Sequence, residues 1–105
     1  MTVAREIKQL NAIVENLLRV SVIYRDSDQK LCARIWAIQL GGDDVLKSIS
    51  AYEFLLKYTT GKLYSQESIG RARRKLQEED ESLRGKKYNQ RQNETTAVQT
   101  VLGYI

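Results

Sequence analysis

The chain contains no histidine and no proline, and it has one cysteine, one methionine, one tryptophan and one phenylalanine in 105 residues. Without histidine, the commonest general acid–base, zinc ligand and activator of a nucleophile is missing, and no Ser/His or Cys/His arrangement can be drawn. Ser68, Tyr64 and Tyr88 are the imaginable nucleophiles, the tyrosines as in strand-transfer enzymes. None has a histidine or a dense acidic metal site to assist it, so the expectation is a protein that is not an enzyme and carries no cofactor. A single cysteine, Cys32, excludes an intramolecular disulfide. It sits in the apolar pattern LCARIWAIQL and reads as a small buried hydrophobe rather than a reactive thiol. No apolar run reaches the 18 or more residues that span a bilayer, and MTVAREIKQL carries charges where a leader needs an apolar centre, so no membrane partner and a cytoplasmic location are expected.

What is present is an ordered composition, 42% apolar with mixed charges, in a length suited to one domain over residues 1–105. The charge is unevenly placed. Residues 62–91 hold nine Lys/Arg against five Asp/Glu, while the rest of the chain holds eight of each, so the whole net charge of +4 falls in one third of the chain. A basic region concentrated in this way is the footprint of an anion-binding face, most often one for nucleic acid.

Apolar spacing gives a mainly α protein, a compact helical bundle. Thr2 caps a first helix to about Leu18, with Ile7, Leu10, Val14, Leu17 and Leu18 on one stripe. VSVIY, residues 20–24, is β-branched and apolar; a short strand and an extended stretch packed under the core compete, and the extended connection is favoured. Asp26, three residues before Gln29, opens a helix through LCARIWAIQL that stops at Gly41 and Gly42. Its apolar surroundings make it the centre of the core and favour burial of Trp36 over a base-stacking role. Asp43 and Asp44 read as caps of a short turn; a magnesium site is the weaker reading, since no third ligand lies near them in sequence. Ser50 and Glu53 form a capping box for a helix through Phe54, Leu55 and Tyr58, ending near Gly61.

The next helix carries the functional question. Ser65 caps it, Tyr64 can staple onto Ile69, and its pattern fades between Asp80 and Ser82 before Gly85. On a helical wheel Ile69, Ala72 and Leu76 form the inward stripe, Arg71, Arg74 and Lys75 point outward, and Arg73 lies at the edge. Glu67 and Arg71, Arg74 and Glu78, and Lys75 and Glu79 are also spaced for i,i+4 pairing, so an ordinary solvated face competes with a binding face. The acidic run EEDE lies at the C-terminal end, where it opposes the helix dipole. The helix from Ser50, the connection TTGKLYS and this second helix have the order of a helix-turn-helix within residues 50–91, or of a looser winged-helix-like unit with residues 83–88 as a basic turn or wing. In that arrangement Gln66, Arg71 and Arg74 face base edges, Lys75 lies beside them, and Arg84, Lys86 and Lys87 meet phosphates.

The pattern S-x-E-S-I-x-R-A-R-R-K-L-Q-E over residues 65–78, followed by L-R-G-x-x-Y over 83–88, resembles small, mostly uncharacterised proteins encoded by bacteriophages and prophages. The likeness is strongest over residues 63–91 and weaker in LCARIWAIQL and AYEFLLKY. The resembled proteins tend to have proline where this chain has Gln66 and Glu81, which leaves the exact helix ends open. The resemblance implies a phage origin and a bacterial host cell. Two functions then compete: a DNA-binding protein, such as a transcriptional regulator, and a small phage protein that binds and inhibits a host protein, such as a defence nuclease or polymerase. A structural or packaging role has no particular support. The apolar segment 93–105, of open secondary structure, is the candidate contact for a homodimer.

Overall fold

A computed structural model describes residues 3–91, with side chains described from Ile7 onward. The expected cap Thr2 and the segment 93–105, with the dimer contact assigned to it, lie outside the described residues. Six α-helices follow in order: α1 Val3–Val20, α2 Ile23–Asp26, α3 Asp28–Leu40, α4 Asp43–Ser48, α5 Ala51–Thr59 and α6 Gln66–Glu79. A 3-10 turn at Glu81–Leu83 follows, and a further helix begins at Tyr88. There is no strand among the described residues, and the fold is all-α.

The core is the meeting of α1, α3 and α6. Leu10, Val14, Leu17 and Leu18 from α1, Leu31, Cys32 and Ile35 from α3, and Ile69 and Ala72 from α6 form one buried cluster, closed at the end by Leu83. The α1 stripe therefore has the spacing the sequence predicts, except that Ile7 is 54% exposed. In α3, Leu31, Cys32, Ile35 and Ala37 are buried and Ile38 is exposed, so this helix has a wet side despite its composition. Trp36 is partly buried. Its Nε1 donates to the Tyr64 carbonyl at 2.7 Å, and its ring meets Phe54 and Tyr58 of α5 edge-on at 5.6 and 5.4 Å.

Several helix ends fall where the capping chemistry places them. Ser50 Oγ accepts from Glu53 N at 3.1 Å, and Ser65 Oγ accepts from Ser68 N at 3.0 Å. Gly41 ends α3 at φ +109°, a left-handed turn that lets Gly42 N donate back to Ala37 O at 2.8 Å. Three expectations need correction. Ser27, not Asp26, caps α3, accepting from Lys30 N at 3.2 Å; the Asp26 carboxylate is drawn to backbone donors near residue 86. VSVIY is not extended: α1 runs through Val20 and α2 follows at once, because Arg25 Nε donates to the Leu18 carbonyl at 2.7 Å and satisfies the end of α1. Val20, Val22 and Ile23 are exposed rather than tucked under the core. Asp43 and Asp44 lie in the first turn of α4 without capping it by a side chain, and Asp43 pairs instead with Arg34 at 3.0 Å.

Candidate nucleic-acid interface

Helix α6 is held from beneath by polar groups as well as by apolar ones. Arg73, at the edge of the predicted stripe, is 4% exposed. Its Nε and Nη2 donate to the two carboxylate oxygens of Asp28 at 2.6 and 3.2 Å, and its Nη1 donates to Gln77 Oε1 at 3.0 Å. Gln77 is fully buried, and its amide donates to the carbonyls of Arg25 and Leu83 at 3.0 and 3.1 Å. Every polar group in this network has a partner, which allows charge to be buried without a large penalty. The inner face of α6 therefore comprises Ile69, Gly70, Ala72, Arg73 and Gln77, with Leu76 only partly buried. The wheel placed Leu76 inside and Arg73 at the edge.

The segment after α6 is locked in the same way. Leu83 is buried, and Arg84 Nε and Nη2 donate to the Gln77 and Glu78 carbonyls at 2.6 and 3.0 Å, while the guanidinium lies over the Tyr88 ring at 4.3 Å from its centre. Arg84 is thus spent on the C-terminal carbonyls of α6. At Gly85 a Cβ would lie 2.2 Å from Asp26 Oδ1, closer than any real contact. That carboxylate accepts from the backbone N–H groups of Lys86 and Lys87 at 3.2 and 2.9 Å, and Arg91 donates to the carbonyls of Arg25 and Asp26 at 3.1 and 3.0 Å. Burial opposes ionisation of Asp26, but the two N–H donors and the nearby Arg91 and Lys87 charges outweigh it and hold its pKa below the ordinary carboxylate value. Residues 83–88 are therefore a turn clamped to α2, with no β-wing. The acidic run has a structural use as well: Asp80 accepts from Ser82 N at 2.9 Å, which starts the 3-10 turn, and pairs with Arg19 of α1 at 3.2 Å.

Of the predicted site residues, Gln66 and Arg74 are brought together. Both line an open depression of about 510 Å³ between α5 and the start of α6, with Asp28, Tyr58, Ser65, Glu67 and Gly70. The Arg74 guanidinium reaches back over Gly70, where a Cβ would sit 3.5 Å from its Nη1 and 3.6 Å from Asp28 Oδ2. Arg71 is exposed and ion-paired with Glu67 one turn earlier. Lys75 is exposed, as are Lys86 and Lys87 on the clamped turn. Among the described residues Arg74, Lys75, Lys86 and Lys87 form no ion pair, and neither the Arg74–Glu78 nor the Lys75–Glu79 pairing is closed.

The α5–connection–α6 order is that of the expected helix-turn-helix, but α6 rests mainly on α1 and α3. α5 is attached through its aromatic contacts with Trp36 and through Tyr58 Oη, which accepts from Gln66 N at 3.2 Å. No group of three or more metal-ligating side chains gathers among the described residues, and no described helix is long and apolar enough to cross a membrane. Comparison with family models, curated proteins and solved structures gives no match.

Proposed function

We propose that the protein is a non-enzymatic DNA-binding protein, of the kind that serves as a phage-encoded transcriptional regulator, and that it presents the outer face of α6 to the duplex. One observation carries this reading: among the described residues Arg74 and Lys75 stand exposed and without ion pairs on a helix whose opposite face is buried in the core. A rigid helix with free cations can be held in a groove without a large ordering cost. Gln66 and Arg74, which share one depression, supply donors and an acceptor suited to base edges, and Lys86 and Lys87 supply phosphate contacts. Arg71 contributes after releasing Glu67. Arg84 is left out of the interface.

The test is fluorescence anisotropy of labelled duplex DNA across a salt series, with the wild type beside Arg74→Ala/Lys75→Ala. The expected result is binding that weakens steeply with salt, and weaker binding at every salt concentration by the variant, which has lost a base-edge donor and a neighbouring cation. Absence of binding at low salt overturns the reading.

A second reading, inhibition of a host protein, draws support from the acids on the same helix. Glu67, Glu78 and Glu79 are all exposed beside the cations. Such a mixture is less suited to phosphates than to a protein surface of complementary pattern. Recovery of one host protein from nuclease-treated lysate by the wild type, and its loss with the variant, would favour this second reading.

A further inference from the structure

Helix α5 has no buried residue, and its outward side is apolar. Tyr52 is 74%, Leu55 57% and Leu56 49% exposed, the spacing of one face of a helix. Phe54 and Tyr58, on the opposite side, hold α5 to Trp36. Glu53 and Lys57 flank the apolar face on one side. They are spaced i,i+4, yet no ion pair closes between them.

From this pattern we infer that α5 pairs with α5 of a second copy of the chain, antiparallel and about a two-fold axis level with Leu55. Glu53 lies two residues before Leu55 and Lys57 two after it. A two-fold axis at that level sets each Glu53 opposite the other copy's Lys57, and it does so twice. In an antiparallel pair the same flank of each helix meets, so both charged positions fall on the shared side. An isologous contact requires this self-complementarity. Next to Leu56 an open depression of about 280 Å³ is lined by Glu53, Leu56, Lys57, Thr60 and Lys62. At the level of Lys57 it receives the other copy's Glu53 carboxylate between two ammonium groups. At the axis Leu55 meets Leu55 of the other copy, and Tyr52 and Leu56 lose their water along the same apolar face.

A pair of nine-residue helices buries far less than the roughly 1,600 Å² of a standard stable complex. The dimer is accordingly weak, with a dissociation constant on the order of 100 μM. Since the contact lies on α5, it leaves the outer face of α6 open and does not depend on DNA binding.

Sedimentation equilibrium of the full chain from about 10 μM to 1 mM, at about 0.1 M salt, tests the pairing. Wild type should pass from monomer to dimer in this range. Glu53→Lys alone, or Lys57→Glu alone, should weaken association roughly tenfold by turning two attractions into two repulsions. An equimolar mixture of these two variants, or the double variant Glu53→Lys/Lys57→Glu, should restore it. Tyr52→Glu should abolish it. All the changed side chains lie outside the buried core, and an unchanged helical circular dichroism spectrum confirms folding. A monomer at 1 mM overturns the inference. So does a dimer indifferent to the charge exchanges, which would place the contact on another face or in segment 93–105.

Discussion

Removing the guanidinium of Arg73 strands Asp28 and Gln77 together, because both lean on it within the same buried network. Arg73→Ala should lower the free energy of unfolding by about 3 kcal/mol in urea titration, the low end for breaking a buried pair because Asp28 keeps 30% of its side-chain surface in water. Arg74→Ala, one residue on and exposed, should change stability by no more than about 0.5 kcal/mol. That contrast was only half legible from a helical wheel, which sets Arg73 at the edge of the inward stripe by its angle but cannot show which partner meets it there. The deciding partner, Asp28, lies 45 residues away. Gln77 was missed for the same reason: its partners are main-chain carbonyls, which leave no trace in side-chain patterns. Cys32 was legible from its apolar neighbours. Burial, with a smaller push from Asp28, raises its thiol to about 11, so it should resist thiol reagents at pH 8 in the native protein and react, one thiol per chain, once unfolded.

Among the elements, the turn at residues 83–88 puts only part of its basic motif on the surface. Lys86 and Lys87 stay exposed. The rest is structural: Leu83 is a core plug, Arg84 a helix cap, Gly85 clearance for a carboxylate, and Tyr88 a bed for Arg84. Gly85→Ala should cost about 1–3 kcal/mol, since Asp26 cannot step aside without giving up the N–H groups of Lys86 and Lys87. The depressed pKa of Asp26 gives stability that is present above the ordinary carboxylate value and lost as the pH falls through the folded one. Comparing urea midpoints at pH 7 and pH 3, Asp26→Asn should be the weaker protein at pH 7 and lose less on acidification. Serine caps at 50 and 65 and the glycine stop at 41 were readable because capping is local. The helix at Ile23–Asp26, directly after α1, was not, because it depends on the Arg25 side chain turning back onto α1.

Across the whole molecule, stability is unevenly shared. The helices α1, α3 and α6 exclude water from one cluster, whereas α5 buries no residue fully. Native-state hydrogen exchange should find the slowest amides in the first three and markedly faster exchange in α5, by local opening that leaves the core intact. The polar links that close the molecule also span long stretches of chain: 45 residues from Asp28 to Arg73, 60 from Asp26 to Lys86 and 66 from Arg25 to Arg91. A ribosome makes the chain from its first residue onward. For most of synthesis α2 and the start of α3 must wait, with the Asp26 and Asp28 carboxylates facing water, until the residues that answer them leave the exit tunnel. Nascent chains halted before Gly85 should therefore be cut readily by protease within residues 20–30, and that sensitivity should end only after Arg91 has emerged.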